Sequence, residues 1–272
     1  MRGLLEDKVT VITGAGHGIG AATAELFAEH GAAAVYVTDV DTAAADAVAK
    51  GIGPAAVAMA VDVRDAAALE ALRDRVLADH GRVDVLVNNA GHYLVPKMLE
   101  ESGPEHWQGL YELNLLHVIH ATKLFLPSML ERESGNIVNV TSIEGVRGYP
   151  ADPVYGAFKA AAVQFTKCVG IDVADRGVRI NAIAPDLTNS DQSNFAAWDS
   201  PEVAERWHHY LPLGRMGEPI DQARVILFLA SELSGFCVGQ TINTDGGTAE
   251  AAGWFRSTRR EGRRWTNRPF EP

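Results

Sequence analysis

The sequence has few cysteines and no long apolar run, and these two absences exclude several classes of protein. Only two of the 272 residues are cysteines, Cys168 and Cys237, and they form no CxxC pair. We therefore expect neither a zinc site nor a dithiol redox motif, and two reduced thiols suit a cytoplasmic location. No stretch approaches the eighteen or more apolar residues of a membrane span. Residues 1–8 are already charged and precede a strand without an apolar signal region, so we expect no signal peptide.

Basic residues are also in deficit. The chain has 24 Lys and Arg against 35 Asp and Glu, a formal net charge of -11. Nucleic acid is therefore not an expected partner, because phosphate binding needs a basic face. Solubility is the simplest role for the charge. The exception is a basic C-terminal tail at 253–272, which either frays or reaches across a subunit interface; its arginines are Arg256, Arg259, Arg260, Arg263, Arg264 and Arg268.

Short apolar runs alternate with helical patterns along most of the chain. Continuous apolar runs that alternate with helices predict a parallel sheet covered on both faces. We expect a single domain at 1–252 with a Rossmann-like, doubly wound α/β fold. The predicted strands are 9–13, 34–38, 55–61, 83–87, 136–141, 178–183 and 240–243, and the predicted helices are 19–30, 41–50, 66–80, 107–131, 154–175 and 219–231. Residues 186–216 are too long for a tight connection and predict a substrate lid.

A glycine-rich turn joins the first predicted strand to the first helix. Glycines allow a sharp turn and a close approach of the backbone to a diphosphate, and the helix N-terminus adds free N–H groups. The alternative is an ordinary glycine-rich turn. The residues predicted to contact the cofactor here are Gly14, His17, Gly18, Ile19 and Gly20.

Asp39 ends the second predicted strand. A carboxylate at this point can accept hydrogen bonds from the ribose hydroxyls of adenosine and repels a 2′-phosphate. Neither Val40 nor Asp41 supplies a cation for such a phosphate. The sequence therefore predicts NAD over NADP. Alternatively, Asp39 only caps the next helix, which Asp41 or Thr42 would do equally well.

Tyr155 and Lys159 are four residues apart on one face of a predicted helix. A free tyrosine has a pKa of about 10, so chemistry near neutrality requires a shift of roughly three units, about 4 kcal/mol. A neighbouring ammonium favours the phenolate and predicts a lowered pKa for Tyr155. Ser142 follows the preceding strand and can bond a substrate oxygen. A pair of residues on a surface helix is the alternative.

These motifs together resemble the short-chain dehydrogenase/reductase superfamily, in its shorter single-domain branch. The resemblance covers roughly 5–247. It includes TGxxxGxG at 13–20, Asp62-Val63 after the third strand, NNAG at 88–91 and DGG at 245–247. The tetrad that the family uses for catalysis matches Asn114, Ser142, Tyr155 and Lys159.

The resemblance implies a role for each matching residue in cofactor binding. Asp62 would hold the adenine amino group with Val63 beside it. Asn89, Ala90 and Gly91 would line the ribose on the nicotinamide side. Residues after the sixth strand would hold the carboxamide end, and they are Pro185, Thr188 and Ser190.

The resemblance also implies hydride transfer between the nicotinamide and a secondary alcohol or ketone, with Tyr155 as general acid and base. Lys159 would bond the nicotinamide ribose, and Asn114 would order a water that links Lys159 to solvent. A homotetramer is implied as well. Two alternatives stay open, namely an NADPH-linked 3-oxoacyl reductase and a cofactor-binding regulator without turnover.

One position departs from the family pattern, because Asp186 follows Pro185 where the family usually has glycine. Asp tolerates unusual backbone angles better than most residues, so we expect cofactor binding to survive. The candidate substrate contacts are less specific. Glu144 could accept a bond from a second hydroxyl, which favours a polyol or diol, or it could face solvent. The other candidates are His92, Ser142, Tyr149, Trp198 and Trp207, and the aromatic ones could equally pack a lid.

Overall fold

A parallel seven-stranded sheet forms the centre of the protein in the computed structural model, which describes residues 3–190, 207, 209–257 and 265–266. The strand order is β3-β2-β1-β4-β5-β6-β7, and each neighbouring pair runs parallel. The strands are β1 (Val9–Thr13), β2 (Ala34–Asp39), β3 (Ala56–Ala60), β4 (Val85–Asn88), β5 (Gly135–Val140), β6 (Val178–Pro185) and β7 (Thr241–Thr244). The predicted doubly wound Rossmann-like fold is confirmed.

Helices cover both faces of this sheet. They are α1 (Gly18–Glu29), α2 (Thr42–Ile52), α3 (Ala66–His80), α4 (Pro104–Tyr111), α5 (His117–Glu131), α6 (Pro153–Val173), α7 (Pro219–Ala230) and the short α8 (Thr248–Ala251). Within the described ranges, no helix combines the length and the apolar character that a membrane span requires.

Alternate strand residues enter two separate hydrophobic cores. Val35 and Val37 of β2 pack with α1 and α7 on one face, whereas Tyr36 packs with α3 and α5 on the other. Both sets are buried. Burial on both faces explains why the strands are continuous apolar runs in the sequence.

The predicted helix at 107–131 is interrupted. Glu112–Leu116 forms a π-helical turn between α4 and α5, and the buried Asn114 lies within it. Single π-helical turns are frequently found at functional sites, because the wider turn redirects side chains. Apolar periodicity cannot reveal this interruption, since it places the same face toward the core.

Two strands of the tail were also not predicted. Phe255–Arg256 (β8) pairs antiparallel with Trp265–Thr266 (β9). Most of the predicted lid at 186–216 and the rest of the tail fall outside the described residues. The domain boundary at 252 therefore stays a prediction.

The order of the strands reverses between β1 and β4. Consecutive crossovers leave this point toward opposite sides of the sheet, which opens a crevice at the carboxyl ends of the strands. The glycine turn after β1, Asn89 after β4 and Ser142 after β5 all lie at this edge. The fold therefore gathers the predicted site residues at one place.

Candidate active site

One cavity of about 760 Å³ lies at the carboxyl edge of the sheet. Every residue that the sequence predicts to bind the cofactor lines it, except Gly20. Ser142, Tyr155 and Lys159 of the predicted tetrad line it as well. The structure therefore brings both predicted sets into a single space.

The glycine turn is shaped by close backbone contacts. Gly14 has a φ of +63°, and a Cβ on it would lie 2.9 Å from the Cα of Ala90. A Cβ on Gly20 would overlap with the carbonyl oxygen of Gly14. Gly20 thus stands behind the turn, where it allows α1 to pack closely, and does not line the cavity.

The residues of the turn fit a diphosphate. Helix α1 begins at Gly18, and its N-cap His17 makes no capping hydrogen bond with its side chain. The first turn of α1 contains no acidic residue. Free N–H groups and the positive end of the helix dipole therefore face the cavity, which suits an anionic group.

Asn89 fastens the glycine turn to the end of β4. Its Nδ2 donates to the carbonyl oxygens of Thr13 and Gly14 at 2.9 and 2.8 Å. The backbone N–H groups of Asn89 and Ala90 both donate to Thr13 Oγ1, at 3.0 and 3.1 Å. The amide of Asn89 is thus engaged in holding the phosphate-binding turn as well as lining the cavity.

Lys159 and Asn114 approach each other behind Gly91. A Cβ on Gly91 would lie 3.0 Å from Lys159 Nζ and 3.2 Å from Asn114 Oδ1. Asn114 Nδ2 donates to the carbonyl oxygens of His92 and Leu110 at 2.8 and 3.0 Å. Asn114 is not among the lining residues of the cavity. If it orders a water, as the family resemblance implies, that water would lie on the side of Lys159 that faces away from the cavity.

Tyr155 and Lys159 lie on α6, and both side chains are buried. Lys159 Nζ is 5.7 Å from the centroid of the Tyr155 ring and donates to the carbonyl oxygen of Val140 at 3.3 Å. Desolvation lowers the pKa of Lys159 to about 8. This ammonium is therefore close to its titration range at neutral pH.

The predicted lowering of the Tyr155 pKa is not found. Burial raises the pKa of Tyr155 above its ordinary value, the charge of Glu144 adds to the effect, and a hydrogen bond with Ser142 opposes it. The sequence showed the nearby ammonium but not the loss of water around the phenol. Tyr155 is consequently protonated at neutral pH, which is the form that can give a proton to a substrate oxygen.

The helix that carries Tyr155 starts at a buried capping residue that the sequence interpretation missed. Asp152 precedes Pro153, and its Oδ1 accepts a hydrogen bond from the N–H of Tyr155 at 3.0 Å. His106 of α4 contacts the second oxygen of Asp152 at 2.8 Å. An Asp followed by Pro is a typical start of a helix and could have indicated this cap.

Asp186 is held by several partners. Its Oδ1 accepts from the N–H of Leu187 at 2.8 Å, and its Oδ2 accepts from Thr248 Oγ1. Thr188 Oγ1 donates to the carbonyl oxygen of Asp186 at 2.8 Å and accepts from Gln222 Nε2 at 2.9 Å. The residue that departs from the family pattern is thus a fixed part of the cavity wall.

The predicted substrate contacts divide into three groups. His92, Ser142, Glu144 and Tyr149 line the cavity beside Tyr155. Trp207 is not among the described lining residues and packs edge-on against Tyr210, with ring centroids 5.8 Å apart. Trp198 lies outside the described residues, and no group of potential metal ligands occurs in the described part of the chain.

Comparisons with known proteins agree with this geometry. A family model described as enoyl-(acyl carrier protein) reductase matches residues 14–249. A 3-oxoacyl-[acyl-carrier-protein] reductase of Thermotoga maritima is 37% identical over 89% of this chain and 98% of its own length. A meso-2,3-butanediol dehydrogenase of Serratia marcescens is 36% identical over 91% and 97%. The solved 3-ketoacyl-(acyl-carrier-protein) reductase from Brucella melitensis, complexed with NADH, has a TM-score of 0.83 at 32% identity, over 90% of this chain and 99% of that chain.

The predicted preference for NAD over NADP is wrong by these comparisons. Several of the relatives are 3-oxoacyl reductases, the class that the sequence interpretation linked to NADPH, and this favours NADP. The prediction considered only cations next to Asp39 in the chain. In the structure Arg64, which follows β3, lines the same cavity. The carboxylate of Asp39 is already engaged, since it accepts from the N–H groups of Gly16 and Asp41 at 2.9 and 3.0 Å.

The fold, the glycine turn and the grouped Ser142, Tyr155 and Lys159 agree with a family model that spans most of the chain. Relatives above 30% identity extend over about nine tenths of it. The chain is an oxidoreductase and belongs to the short-chain dehydrogenase/reductase superfamily.

Proposed function

We propose that the chain interconverts a ketone and a secondary alcohol with NADP(H) as the hydride carrier. The observation that supports this most directly is the position of a buried Tyr155 next to Ser142 in the cavity that the glycine turn borders. A protonated phenol suits the reductive direction, since reduction consumes one proton at the substrate oxygen.

The residues of the chain have separate parts in this reaction. Ser142 donates a hydrogen bond to the carbonyl oxygen as negative charge develops there. Tyr155 gives its proton to the same oxygen. Lys159 stabilises the phenolate that remains, because its ammonium lies against the ring. The bound dihydronicotinamide would supply the hydride to the carbonyl carbon, which completes the reduction to an alcohol.

The same residues would hold the cofactor. The turn at Gly14 and the N-terminus of α1 would bind the diphosphate, and Asp62 and Val63 would contact the adenine. Lys159 would bond the nicotinamide ribose. These roles rest on the position of each residue in the cavity and on its match to the family motif. The homotetramer and the cytoplasmic location stay predictions.

A 3-oxoacyl reductase is the second candidate, and the names of many relatives favour it. Its substrate contains the same reacting group, a ketone, with a thioester two carbons away. Acetoacetyl-coenzyme A serves as a probe for this activity, and simple ketones serve as probes for the first candidate. Comparison of kcat/KM on the two sets with NADPH decides between them.

Tyr155→Phe tests the proposed chemistry in either case. We expect turnover to fall by about 10²–10⁴-fold, the usual contribution of a general acid, while NADPH still binds. Tyr36→Phe is a matched control, because Tyr36 is a buried tyrosine on β2 that bonds Asp79 away from the cavity. Turnover by Tyr155→Phe at the wild-type rate would show that another group supplies the proton.

A further inference from the structure

Glu144 is held in the wall of the cavity by an ion-paired network. Arg147 Nη2 lies 2.9 Å from Glu144 Oε1, and Arg147 Nε lies 3.4 Å from Oε2. The same Nη2 is 3.2 Å from Asp186 Oδ2. Asp186 in turn accepts from Thr248 Oγ1. Three segments of the chain thus fix one carboxylate.

The two carboxylates of this network line the cavity, and the guanidinium lies behind them. Glu144 and Asp186 line the cavity, whereas Arg147 is not among its described lining residues and lies behind them. The Glu144 side chain is 15% exposed. A carboxylate oxygen has acceptor capacity beyond one hydrogen bond, so Glu144 can bond Arg147 and still accept from a ligand. The wall therefore presents a fixed acceptor rather than a donor.

This acceptor is next to the reacting centre. Glu144 is two residues after Ser142, and its N–H donates to Ser142 Oγ at 3.2 Å. Its carbonyl oxygen would be 3.1 Å from a Cβ on Gly156, the neighbour of Tyr155. A substrate whose carbonyl oxygen meets Ser142 and Tyr155 would thus place its nearest substituents beside the Glu144 carboxylate.

We propose that Glu144 is a specificity-determining residue that accepts a hydrogen bond from a hydroxyl on the carbon next to the reacting carbonyl. The substrates are then uncharged 2-hydroxyketones, and their products are vicinal diols. This inference rests on the proposed function. The second hydroxyl only binds; the ketone carbon gains the hydride, and its oxygen gains the proton of Tyr155.

The network also explains why an aspartate, and not the glycine usual in the family, stands at position 186. A glycine at this position could not bond Thr248 or pair with Arg147, so the guanidinium would lose one of its two carboxylate partners. Asp186 is therefore a positioning residue for Glu144 through Arg147. A substrate carboxylate at the place of the hydroxyl would meet the like charge of Glu144 and lose binding.

Three four-carbon ketones test the proposal with NADPH and the full chain. They are 3-hydroxybutan-2-one, butan-2-one and 2-oxobutanoate. We expect kcat/KM to be at least about tenfold higher for the hydroxyketone than for butan-2-one, because a site built to bond a hydroxyl discriminates against its loss. We expect 2-oxobutanoate to be the poorest of the three.

Glu144→Gln removes the charge with little change of shape. We expect its preference for the hydroxyketone over butan-2-one to fall to about threefold or less, mainly through KM, with butan-2-one little affected. Because the charge of Glu144 raises the pKa of Tyr155, the basic limb of the pH profile should move to lower pH. Asp186→Gly should weaken the same preference, because Arg147 then loses one of its two carboxylate partners. Glu70→Gln, an exposed residue of α3, is the matched control.

The outcomes separate this inference from the proposed function. Equal kcat/KM for the hydroxyketone and butan-2-one in the wild type, or equal effects of Glu144→Gln on both, overturns the role of Glu144 and leaves the ketone reductase intact. No turnover of these probes, of other ketones or of acetoacetyl-coenzyme A overturns the proposed function, and this inference with it.

Discussion

His106 Nε2 lies 2.8 Å from Asp152 Oδ2, and both side chains are buried. The other oxygen of Asp152 accepts from the N–H of Tyr155. Asp152 also accepts from the N–H of Lys97 at 3.3 Å. A single carboxylate thus connects α4, the loop after β4 and the start of the helix that carries Tyr155.

Asp152→Ala should destabilise the protein and lower kcat. The substitution removes a helix cap and leaves the ring of His106 without its buried partner, so we expect a loss on the order of 2–3 kcal/mol in the free energy of unfolding. Urea denaturation and steady-state kinetics measure the two effects. Asp152→Asn keeps an acceptor for the N–H of Tyr155 and should recover much of both; equal losses in the two variants would contradict the cap.

His117→Leu should make the protein more resistant to acid. His117 is buried, and desolvation lowers its pKa from 6.5 to about 3, with the nearby charge of Lys159 acting in the same direction. A folded-state pKa below the unfolded one means that stability is present above pH 6.5 and is lost as the pH falls toward 3.

At pH 5 this loss is about 2 kcal/mol in the wild type and absent in His117→Leu. Urea denaturation at pH 7.5 and pH 5 measures it as the change in the free energy of unfolding between the two conditions. The exposed His80→Gln serves as control. If the wild type and His117→Leu lose the same stability between these pH values, the buried neutral imidazole is not the cause.

Lys159→Met should inactivate the enzyme while it stabilises the fold at neutral pH. The pKa of Lys159 falls from 10.5 to about 8 because its ammonium is buried. Stability from this group is therefore present above pH 10.5 and is lost as the pH falls to 8, at a cost of about 3 kcal/mol.

An apolar side chain of similar length has no such cost. Thermal unfolding should show a higher Tm for Lys159→Met than for the wild type at pH 7, with a difference that shrinks toward pH 10. Lys167→Met, on the exposed side of the same helix, is the control. A Tm difference that does not depend on pH would show that the cost of burying the Lys159 ammonium is not its cause.

Arg64→Gln should weaken NADPH binding more than NADH binding. Arg64 lines the same cavity as Asp39 and forms an ion pair with Asp62, 2.6 Å from Nη2 to Oδ2. The Arg64 side chain is about half exposed, so its guanidinium can meet a phosphate while it keeps the ion pair with Asp62. Titration of both cofactors by fluorescence gives the two Kd values, and an equal increase in both would remove Arg64 from phosphate recognition.

The sequence predicted the framework of this protein well, because its information there is local. The seven strands and most helices follow from apolar runs and helical periodicity, and the glycine turn follows from residues adjacent in the chain. The grouping of Ser142, Tyr155 and Lys159 depended on the family resemblance as well as on spacing.

The errors concern effects that only the folded chain creates. Arg64 lines the same cavity as Asp39 because β2 pairs with β3, although the two residues are more than twenty positions apart in the sequence. The raised pKa of Tyr155 results from burial under several segments. The link between Glu144, Arg147 and Asp186 joins two loops that no sequence pattern relates.

The central claim is that the proton added to the substrate oxygen comes from Tyr155. A single-turnover experiment tests it most directly, with NADPH and enzyme premixed and a ketone substrate added in a stopped-flow instrument. We predict rapid loss of the reduced-nicotinamide absorbance in the wild type and in Tyr36→Phe, and a rate at least about 100-fold lower in Tyr155→Phe with NADPH still bound. Oxidation of NADPH by Tyr155→Phe at the wild-type rate would contradict the account.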